Sequence, residues 1–227
     1  MQSKLKFDVI TLFPGLLEGV VEESIIGRAI RNNRIQVGVH DLREWAEGAQ
    51  GLTDDRPFGG GAGMVLKPEP LFESIESLAT EESTVVYMSP DGDNLSTPLA
   101  QELAEENHLV VVSGHYEGID QRVRDTKVDR EVSIGDYVLT NGTLAAAVLI
   151  DAVSRFVPGV LGREESLDQD AFADSLLSHP QYTRPAEYRG IKVPDILLSG
   201  HHESISNWRQ THRVEKTRTR RPDLLTT

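Results

Sequence analysis

Four short stretches of the chain have the hydrophobic pattern of β-strands. Residues 84–88 (TVVYM) and 109–112 (LVVV) are β-branched runs, while residues 7–12 (FDVITL) and 35–39 (IQVGV) mix apolar and polar positions as strands do. A continuous apolar run is typical of a strand that is covered on both faces. We therefore expect 84–88 and 109–112 to be buried central strands.

Helical patterns lie between these strands. Ser24 is expected to cap a helix that runs through residue 30, and Thr97 followed by Pro98 is expected to begin another. Residues 143–156 form the clearest helix. Its broad apolar face comprises Leu144, Val148, Leu149, Ala152, Val153 and Phe156. The alternation of strands and helices predicts an α/β protein with a mainly parallel sheet, and periodicity alone favours an open, doubly wound one.

The pattern changes after this helix. Residues 157–159 contain the breakers proline and glycine, and the stretch 163–174 is charged without an apolar period, which is typical of a linker or mobile loop. The remaining residues are more basic and mainly helical in pattern. We therefore expect one domain at 1–162, a linker at 163–175 and a smaller domain at 176–227.

Composition excludes several classes of protein. Of the 227 residues, 38% are hydrophobic and 26% are charged, which is typical of neither a disordered chain nor a membrane protein. The longest apolar run, residues 144–150, is far shorter than the roughly 20 residues of a membrane-spanning helix. Asp8 interrupts the first apolar stretch, so we expect no signal peptide and a cytoplasmic location. The chain has no cysteine, which excludes disulfides, thiolate nucleophiles and cysteine zinc sites.

Charge is unevenly distributed along the chain. The 23 Lys and Arg residues are outnumbered by 36 Asp and Glu residues, and a net charge of -13 argues against simple electrostatic capture of nucleic acid. From Trp208 onward, however, the only acidic residues are Glu215 and Asp223. The basic residues of this end are Arg209, Arg213, Lys216, Arg218, Arg220 and Arg221. A polyanion is expected to bind there.

Three strand-like segments lead directly into turns that contain glycine, at residues 87–92, 112–118 and 133–137. In an open α/β sheet, ligands bind outside the carboxyl ends of the strands, where small residues let the backbone approach them. A single turn of this kind is most simply a connection that needs glycine. Three together indicate a ligand pocket built largely from main-chain groups.

Other candidate chemistry is less specific. The glycine cluster at 59–63 matches neither a dinucleotide fingerprint nor a P-loop, and is either a structural turn or a loop that meets a ligand or RNA. Adjacent His201 and His202 point in different directions, so no metal site is expected there. Arg155 is either a helix-terminal cation or a guanidinium aimed into a pocket. Asp170 lies in an acidic run that composition favours as a solvated linker.

Seven motifs in order along the chain resemble those of one known family. They are DDRPFGGG at 54–61, GHYEGID at 114–120, SIGDYVL at 133–139, SRFVPGVLG at 154–162, YTRP at 182–185, LLSG at 197–200 and RRP at 220–222. With these motifs the chain resembles the bacterial tRNA (guanine-N1)-methyltransferases of the TrmD family, which belong to the SPOUT methyltransferases.

The resemblance implies a SPOUT-type α/β sheet with a deep trefoil knot, plus a small helical C-terminal domain that binds tRNA. It also implies a homodimer whose active sites form between subunits, with no membrane association. The methyl donor S-adenosylmethionine would bind, bent, in the loops of the knot. The residues that match the family's donor-binding positions are Tyr87, Ser89, Pro90, Gly114, Ile134, Gly135, Asp136, Tyr137, Val138, Leu139 and Gly142.

The implied reaction is methylation of N1 of guanine 37 in tRNA, next to the anticodon, with guanine preferred at nucleotide 36. Guanine N1 carries a proton, so a carboxylate base is needed, and the resemblance implies Asp170. Negative charge then spreads to O6, where Arg155 would stabilise it. The implied tRNA-binding residues are Glu117, Arg184, Arg220 and Arg221. The family also implies Mg2+, for which the sequence has no evident site.

Some positions carry a residue that differs from the family's usual one. They are Ala62, His115, Asn141 and Ser178. The presence of Asp170 and Arg155 favours an active enzyme. Two alternatives stay open: a non-catalytic RNA-binding relative, which the changes at 115 and 178 would favour, and a knotted methyltransferase that acts on another RNA.

Overall fold

The structure, a computed structural model, describes residues 5–46, 51–162 and 170–225, which belong to two units, Met1–Gly162 and Arg163–Thr227. The strands of the first unit are β1 Leu5–Thr11, β2 Ile35–Asp41, β3 Asp54–Asp55, β4 Val65–Leu66, β5 Ser83–Asn94, β6 His108–Ser113 and β7 Arg130–Ser133. Five of them form one sheet in the order β2-β1-β6-β5-β7, and every pairing in it is parallel. β3 and β4 form a separate antiparallel pair. The prediction of an α/β protein with a mainly parallel sheet is confirmed.

Helices cover both faces of this sheet. They are α1 Gly15–Glu22, α2 Ser24–Arg31, a 3-10 helix at Leu42–Trp45, α3 Pro68–Leu78, α4 Thr97–Ala104, α5 Gln121–Lys127 and α6 Thr143–Ser154. Side chains alternate along β1, so Phe7 and Val9 lie in one apolar cluster with α1, α2, α4 and α6, whereas Ile10 lies in another with α3, α5 and the 3-10 helix. β6 is buried at every position because it is central and covered on both sides, as its apolar run predicts.

α6 begins at Thr143, as predicted, and ends at Ser154, two residues before the predicted end. The prediction of a single apolar face is wrong. Leu149 and Val153 are buried against the sheet, whereas Leu144 and Val148 are each 46% exposed. The small side chains of Ala145 and Ala146 complete the buried face, so the larger residues at 144 and 148 form a second, outward apolar face.

Two helix caps each lie one residue before the predicted position. Glu23, not Ser24, is the N-cap residue of α2, and Ser24 begins the helix with a φ of 52°. The cause is the abrupt turn between α1 and α2, which a single residue joins. Likewise Ser96, not Thr97, caps α4, with its hydroxyl accepting a hydrogen bond from a backbone N–H of the first turn, and Pro98 follows in that turn.

β5 is longer than predicted, because residues 89–92 continue the strand where a turn was expected. Its pairing with β7 is irregular, since Val132 lies opposite both Met88 and Asp93, and the residues between them bulge out of register. A Cβ added to Gly92 would lie 2.4 Å from the carbonyl carbon of Glu131. Glycine is therefore needed there by the close approach of β7.

A network of polar side chains surrounds Asp8, which is buried in β1. The Asp8 side chain on β1 is hydrogen-bonded to Nε2 of His40 and Nε2 of His108, each at 2.8 Å, and is paired with Lys6. Nδ1 of His108 lies 2.7 Å from the hydroxyl oxygen of Ser83. Burial raises the pKa of Asp8, but the hydrogen bonds from Lys6 and the two histidines outweigh it, and the pKa lies below its ordinary value.

The second unit contains a short hairpin, β8 Glu187–Tyr188 and β9 Ile191–Lys192, then α7 Asp195–Leu198, α8 His202–Arg220 and a 3-10 helix at Pro222–Leu225. The segment before the hairpin is bonded to α8. Leu177 N donates to the hydroxyl of Thr217 at 2.9 Å, and Arg213 Nη1 donates to Asp174 Oδ2 at 2.8 Å. Most of the predicted linker, residues 163–169, lies outside the described residues. Among those described, no helix has the length and hydropathy needed to cross a bilayer.

Candidate functional site

A cavity of about 300 Å³ opens at the carboxyl ends of β5, β6 and β7. Its lining comes mainly from residues within 87–91, 114–118 and 132–142. These are the three glycine-bearing segments that the sequence singles out, so the fold brings them together at one place. The position, outside the carboxyl ends of parallel strands, and the volume are those of a small-molecule site.

The loop after β7 runs across the loop after β6 at this cavity. Gly142 N donates a hydrogen bond to Gly114 O at 2.7 Å, and His115 pairs with Asn141 in an isolated antiparallel bridge. A Cβ added to Gly142 would lie 2.9 Å from Gly114 N. The two main chains therefore approach too closely for a side chain between them, and their polar groups frame the cavity.

Ten of the eleven residues predicted to bind the methyl donor line this cavity. They are Tyr87, Ser89, Pro90, Gly114, Ile134, Gly135, Tyr137, Val138, Leu139 and Gly142. Asp136, the eleventh, is exposed and does not line it. Glu117, predicted as an RNA contact, lines the same cavity.

An arginine and two carboxylates that the sequence does not single out stand beside Tyr87. Arg124 lies over the Tyr87 ring at 5.5 Å and donates to both carboxylate oxygens of Glu131, at 2.9 and 2.6 Å, and to Asp91 at 3.2 Å. The hydrogen bond with Glu131 raises the pKa of Arg124 above its usual range, so the guanidinium stays charged. Burial raises the pKa of the Tyr87 phenol, which stays neutral at physiological pH. Arg124 and Glu131 come from α5 and β7, and no local sequence signal connects them.

The glycine cluster lies beside the rim of the cavity. Glu117 N donates to Met64 O at 3.0 Å, and a Cβ added to Gly63, whose φ is 88°, would lie 2.4 Å from Glu117 Oε1. Phe58, at the start of the cluster, has a fully exposed side chain. The cluster is thus a loop packed against a cavity residue, with an aromatic ring facing solvent.

The two residues predicted to act on the base are not brought to this cavity by the first unit alone. Arg155 follows the last residue of α6, whereas the cavity lies at the first turn of that helix, at Gly142 and Ala145. At 1.5 Å per residue, Ala145 and Arg155 are about 15 Å apart along the axis, which exceeds the length of an arginine side chain. Asp170 belongs to the second unit and is half-buried.

The predicted phosphate-binding arginines all lie in the second unit. Arg184 is exposed and lines a separate cavity of that unit, and Arg220 is exposed at the end of α8. Arg221 is paired with Asp223, with Nη2 and Oδ2 2.6 Å apart. The basic C-terminal stretch is therefore only partly available to an RNA, because Arg213 is also bonded within the unit, to Asp174.

Comparison with known proteins identifies the family. The family model described as tRNA (guanine-1)-methyltransferase TrmD matches residues 5–227. The chain belongs to this family. The tRNA (guanine-N(1)-)-methyltransferase of Geotalea uraniireducens is 51% identical to it over 224 residues, which cover 98% of this chain and 91% of that protein. Its counterpart in Brevibacillus brevis is 50% identical over 222 residues, covering 97% and 91%, and that of Listeria welshimeri is 48% identical over 225, covering 97% and 92%.

Membership of the TrmD family agrees with the parallel sheet and implies S-adenosylmethionine as methyl donor. The residues of the cavity suit that molecule. Pro90, Leu139 and Ala145 line the cavity with apolar surface, against which the flat base of that molecule would pack. A metal is not supported in the same way, because the described residues contain no group of three or more His, Asp or Glu side chains that could bind one.

Proposed function

We propose that this protein transfers the methyl group of S-adenosylmethionine to N1 of guanine 37 in tRNA, next to the anticodon, with guanine preferred at nucleotide 36. The observation that carries the proposal is the match of residues 5–227 to the TrmD family model. The cavity at the ends of β5, β6 and β7 supports it, because it gathers residues that family resemblance alone assigned to the donor.

In this proposal the cavity binds the donor, whose sulfonium supplies an electrophilic methyl group. The charges beside Tyr87 suit a cation, since one guanidinium, that of Arg124, is accompanied by the carboxylates of Glu131 and Asp91. A net negative charge near the cavity attracts a sulfonium. The neutral Tyr87 phenol adds an aromatic wall without a charge of its own.

The base chemistry requires a proton acceptor and a cation. Asp170 takes the proton from guanine N1, which leaves the electron pair on N1 available for bonding. Arg155 stabilises the negative charge that develops on O6. The N1–CH3 bond forms as the S–CH3 bond breaks, and the protein's main task in that step is to align the two reactants. Glu117, on the wall of the cavity, accepts hydrogen bonds from the Watson–Crick edge of the guanine.

The geometry of α6 supports a homodimer with shared sites. Arg155 is about 15 Å along the helix from the cavity of its own unit, so a site that uses both needs the Arg155 or the cavity of a second copy. An outward apolar surface is available for such a contact. It comprises Leu16 of α1, Ile25 of α2, and Leu144 and Val148 of α6, each between 36% and 46% exposed, on helices of which α1 packs against both α2 and α6. Exposed apolar side chains grouped on packed helices are typical of subunit contacts.

The remaining family features are part of the same proposal. Residues 1–162 form the donor-binding catalytic domain, 163–175 the linker and 176–227 the tRNA-binding domain, in which Arg184, Arg220 and Arg221 contact phosphates. The trefoil knot would be formed where the loop after β7 crosses the loop after β6, and the hydrogen bond between Gly142 and Gly114 supports a crossing there. Mg2+ is expected from the family, but no step is assigned to it, because the described residues contain no cluster to bind it.

Methyl transfer to two tRNA transcripts tests the proposal directly. One transcript carries guanine at nucleotide 37 and the other adenine, with labelled S-adenosylmethionine as donor. We expect transfer to the guanine transcript alone. Donor binding without transfer to either transcript would instead support a non-catalytic relative or a different RNA substrate.

The role of Asp170 has its own test. Asp170→Asn keeps the size of the side chain but removes the base, so it should abolish single-turnover methyl transfer while the dissociation constant for the donor changes little. Asp174→Asn is a matched control in the same segment, since that carboxylate is bonded to Arg213 rather than assigned to the base. Wild-type rates for Asp170→Asn would exclude Asp170 as the base.

Mixed dimers test the shared site. Asp170→Asn chains are mixed with chains inactivated in the cavity, and exchange of subunits is verified by mass. If each active site combines residues of two copies, hybrid dimers should recover part of the activity, because one of their two sites is intact. Verified hybrids without activity would exclude sharing between Asp170 and the cavity.

A further inference from the structure

The second unit contains a cavity of about 390 Å³ that the proposed reaction does not use. All of its lining residues belong to the same unit. They are His179, Pro180, Gln181, Tyr182, Thr183, Arg184, Ala186, Val193, Leu197, Leu198, Ile205 and Arg209. We propose that this cavity binds one unstacked base of the tRNA, other than the methylated guanine, together with its flanking phosphate. The inference rests on the proposed function, because it takes tRNA as the substrate.

The walls of the cavity provide an apolar surface and an aromatic side chain, against which a base can pack. Val193, Leu197 and Ile205 form a half-buried apolar floor, and Tyr182 presents a side chain that is 49% exposed. Single-stranded RNA is recognised mainly by bases that leave the stack and lie against aromatic side chains. An exposed tyrosine beside an apolar recess is the arrangement that such a base needs.

His179 supplies a hydrogen-bonding group in the cavity wall. The residue is only 8% exposed, and its Nδ1 lies 2.9 Å from the carbonyl oxygen of Pro180. Because a carbonyl only accepts, Nδ1 must donate, and in the neutral ring Nε2 is then an acceptor. Nε2 has no hydrogen bond to another described residue, and it is not among the described side-chain atoms that are buried without a partner, so it is accessible to a ligand. The amino and imino groups on the Watson–Crick edge of a base are donors of the kind that would satisfy it.

The charges of the cavity favour RNA over a protein partner. Arg184 and Arg209 both line it, neither has a hydrogen bond or ion pair within the part of the chain that the structure describes, and no carboxylate is among the lining residues. The surrounding residues 176–227 contain 9 Lys and Arg against 5 Asp and Glu. Two available guanidiniums at the edge of an apolar recess suit the phosphate of a nucleotide whose base is inside.

Substitution of Tyr182 tests the stacking contact in the full-length protein. Tyr182→Leu keeps an apolar side chain but removes the ring, and Tyr182→Phe keeps the ring. A lost base–aromatic stack corresponds to about 5- to 150-fold in affinity, so Tyr182→Leu should weaken binding of a tRNA transcript within that range and Tyr182→Phe should stay near wild type. Tyr188→Leu is the matched control, because Tyr188 is also exposed, at 62%, but does not line the cavity.

A series of abasic transcripts identifies the base and separates a direct contact from a structural effect. Each transcript lacks one base of the anticodon loop outside nucleotide 37. If Tyr182 stacks on one base, Tyr182→Leu should cost nothing further on the transcript that lacks it, and its full cost on the others. Equal losses on every transcript would overturn the proposal, as would wild-type affinity for Tyr182→Leu. A Tyr182→Leu variant that changes only the oligomeric mass would overturn it as well, since the cavity is then a protein contact.

Donor affinity and methyl transfer distinguish this inference from the function on which it rests. The variants should bind S-adenosylmethionine as the wild type does, which also verifies that they are folded. In methyl transfer, Tyr182→Leu should raise KM for tRNA with little change in kcat. A wild-type protein that methylates no tRNA would overturn the proposed function itself, whereas an active wild type with an unaffected Tyr182→Leu variant overturns only the base-binding cavity.

Discussion

Replacing Gly142 with alanine tests how closely the two main chains cross at the cavity in the first unit. Gly142 has a φ of −77° and a ψ of −7°, which alanine adopts without strain. The added Cβ, however, would lie 2.9 Å from Gly114 N, 3.2 Å from Ser113 Cα and 3.3 Å from Gly114 O. All three atoms are backbone, so the neighbour cannot yield by rotating a side chain.

The cost can be estimated from these contacts. The two loops must separate by several tenths of an ångström, which lengthens the 2.7 Å hydrogen bond from Gly142 N to Gly114 O. Overpacking of this kind costs about 1–3 kcal/mol, and the lower chain entropy of alanine in the unfolded state offsets about 0.4–1 kcal/mol of it. We therefore expect a net cost of about 1–2 kcal/mol, equivalent to about 5- to 30-fold in an equilibrium constant.

Calorimetric titration with S-adenosylmethionine measures whether this cost weakens donor binding, and thermal unfolding measures whether it destabilises the protein. Gly142→Ala should weaken donor binding by about 5- to 30-fold, or lower the melting temperature if the unliganded protein carries the same crossing. Gly19→Ala is the control, because Gly19 lies within α1 and a Cβ there would meet no atom within 4 Å. Gly142→Ala with wild-type affinity and wild-type melting temperature would refute the close approach.

Three further predictions concern stability and RNA binding. Because hydrogen bonds lower the pKa of Asp8 despite its burial, its contribution to stability is present above its unfolded pKa of about 4 and is lost as pH falls through the lower folded value. The difference in unfolding free energy between wild type and Asp8→Asn should therefore shrink in urea titrations from about pH 5 to 2, and a constant difference would contradict this. Arg124→Met should lower the unfolding free energy by about 1–3 kcal/mol, since it leaves the half-buried carboxylate of Glu131 without its partner. Arg122→Met, which removes only an exposed pair with Asp120, should cost clearly less, and equal costs would argue against the importance of the Arg124 pairing. Arg184→Gln should reduce the slope of log affinity for tRNA against log salt by about one if Arg184 binds a phosphate, and an unchanged slope would exclude that contact.

Local patterns in the sequence predicted the strands and the position of the cavity, but not the side-chain contacts inside the cavity. The apolar run 109–112 is central in the sheet, and the glycine-bearing segments around Gly114 and Gly135 both line the cavity. Such features depend on a few adjacent residues, whose burial and backbone freedom are local properties. The seven motifs then supplied the donor, which no periodicity could have indicated.

Features that depend on pairing between distant segments of the chain were either not predicted or predicted wrongly. The sequence predicts a turn at residues 89–92, but β7 pairs on both sides of them and keeps them in β5 as a bulge. Arg124 and Glu131 are ordinary charged residues in the sequence, and only the packing of α5 beside β7 makes them a pair. The apolar positions of α6 likewise could not be divided into an inward and an outward face until its register on the sheet was known.

The distribution of charge between the two units explains how an acidic chain can act on RNA. Residues 1–162 contain 13 Lys and Arg against 26 Asp and Glu, whereas residues 176–227 contain 9 against 5, so the negative excess belongs to the first unit. Screening limits each exposed charge to about 8 Å at physiological ionic strength, so the charge of each unit, rather than that of the whole chain, decides where phosphates bind. In the proposed reaction this division of charge favours one way for the tRNA to approach the cavity. Phosphates are attracted to the second unit and repelled by the first, while a guanine base, which is neutral, can leave the stack and reach the cavity beside Glu117 without bringing its backbone into an acidic surface.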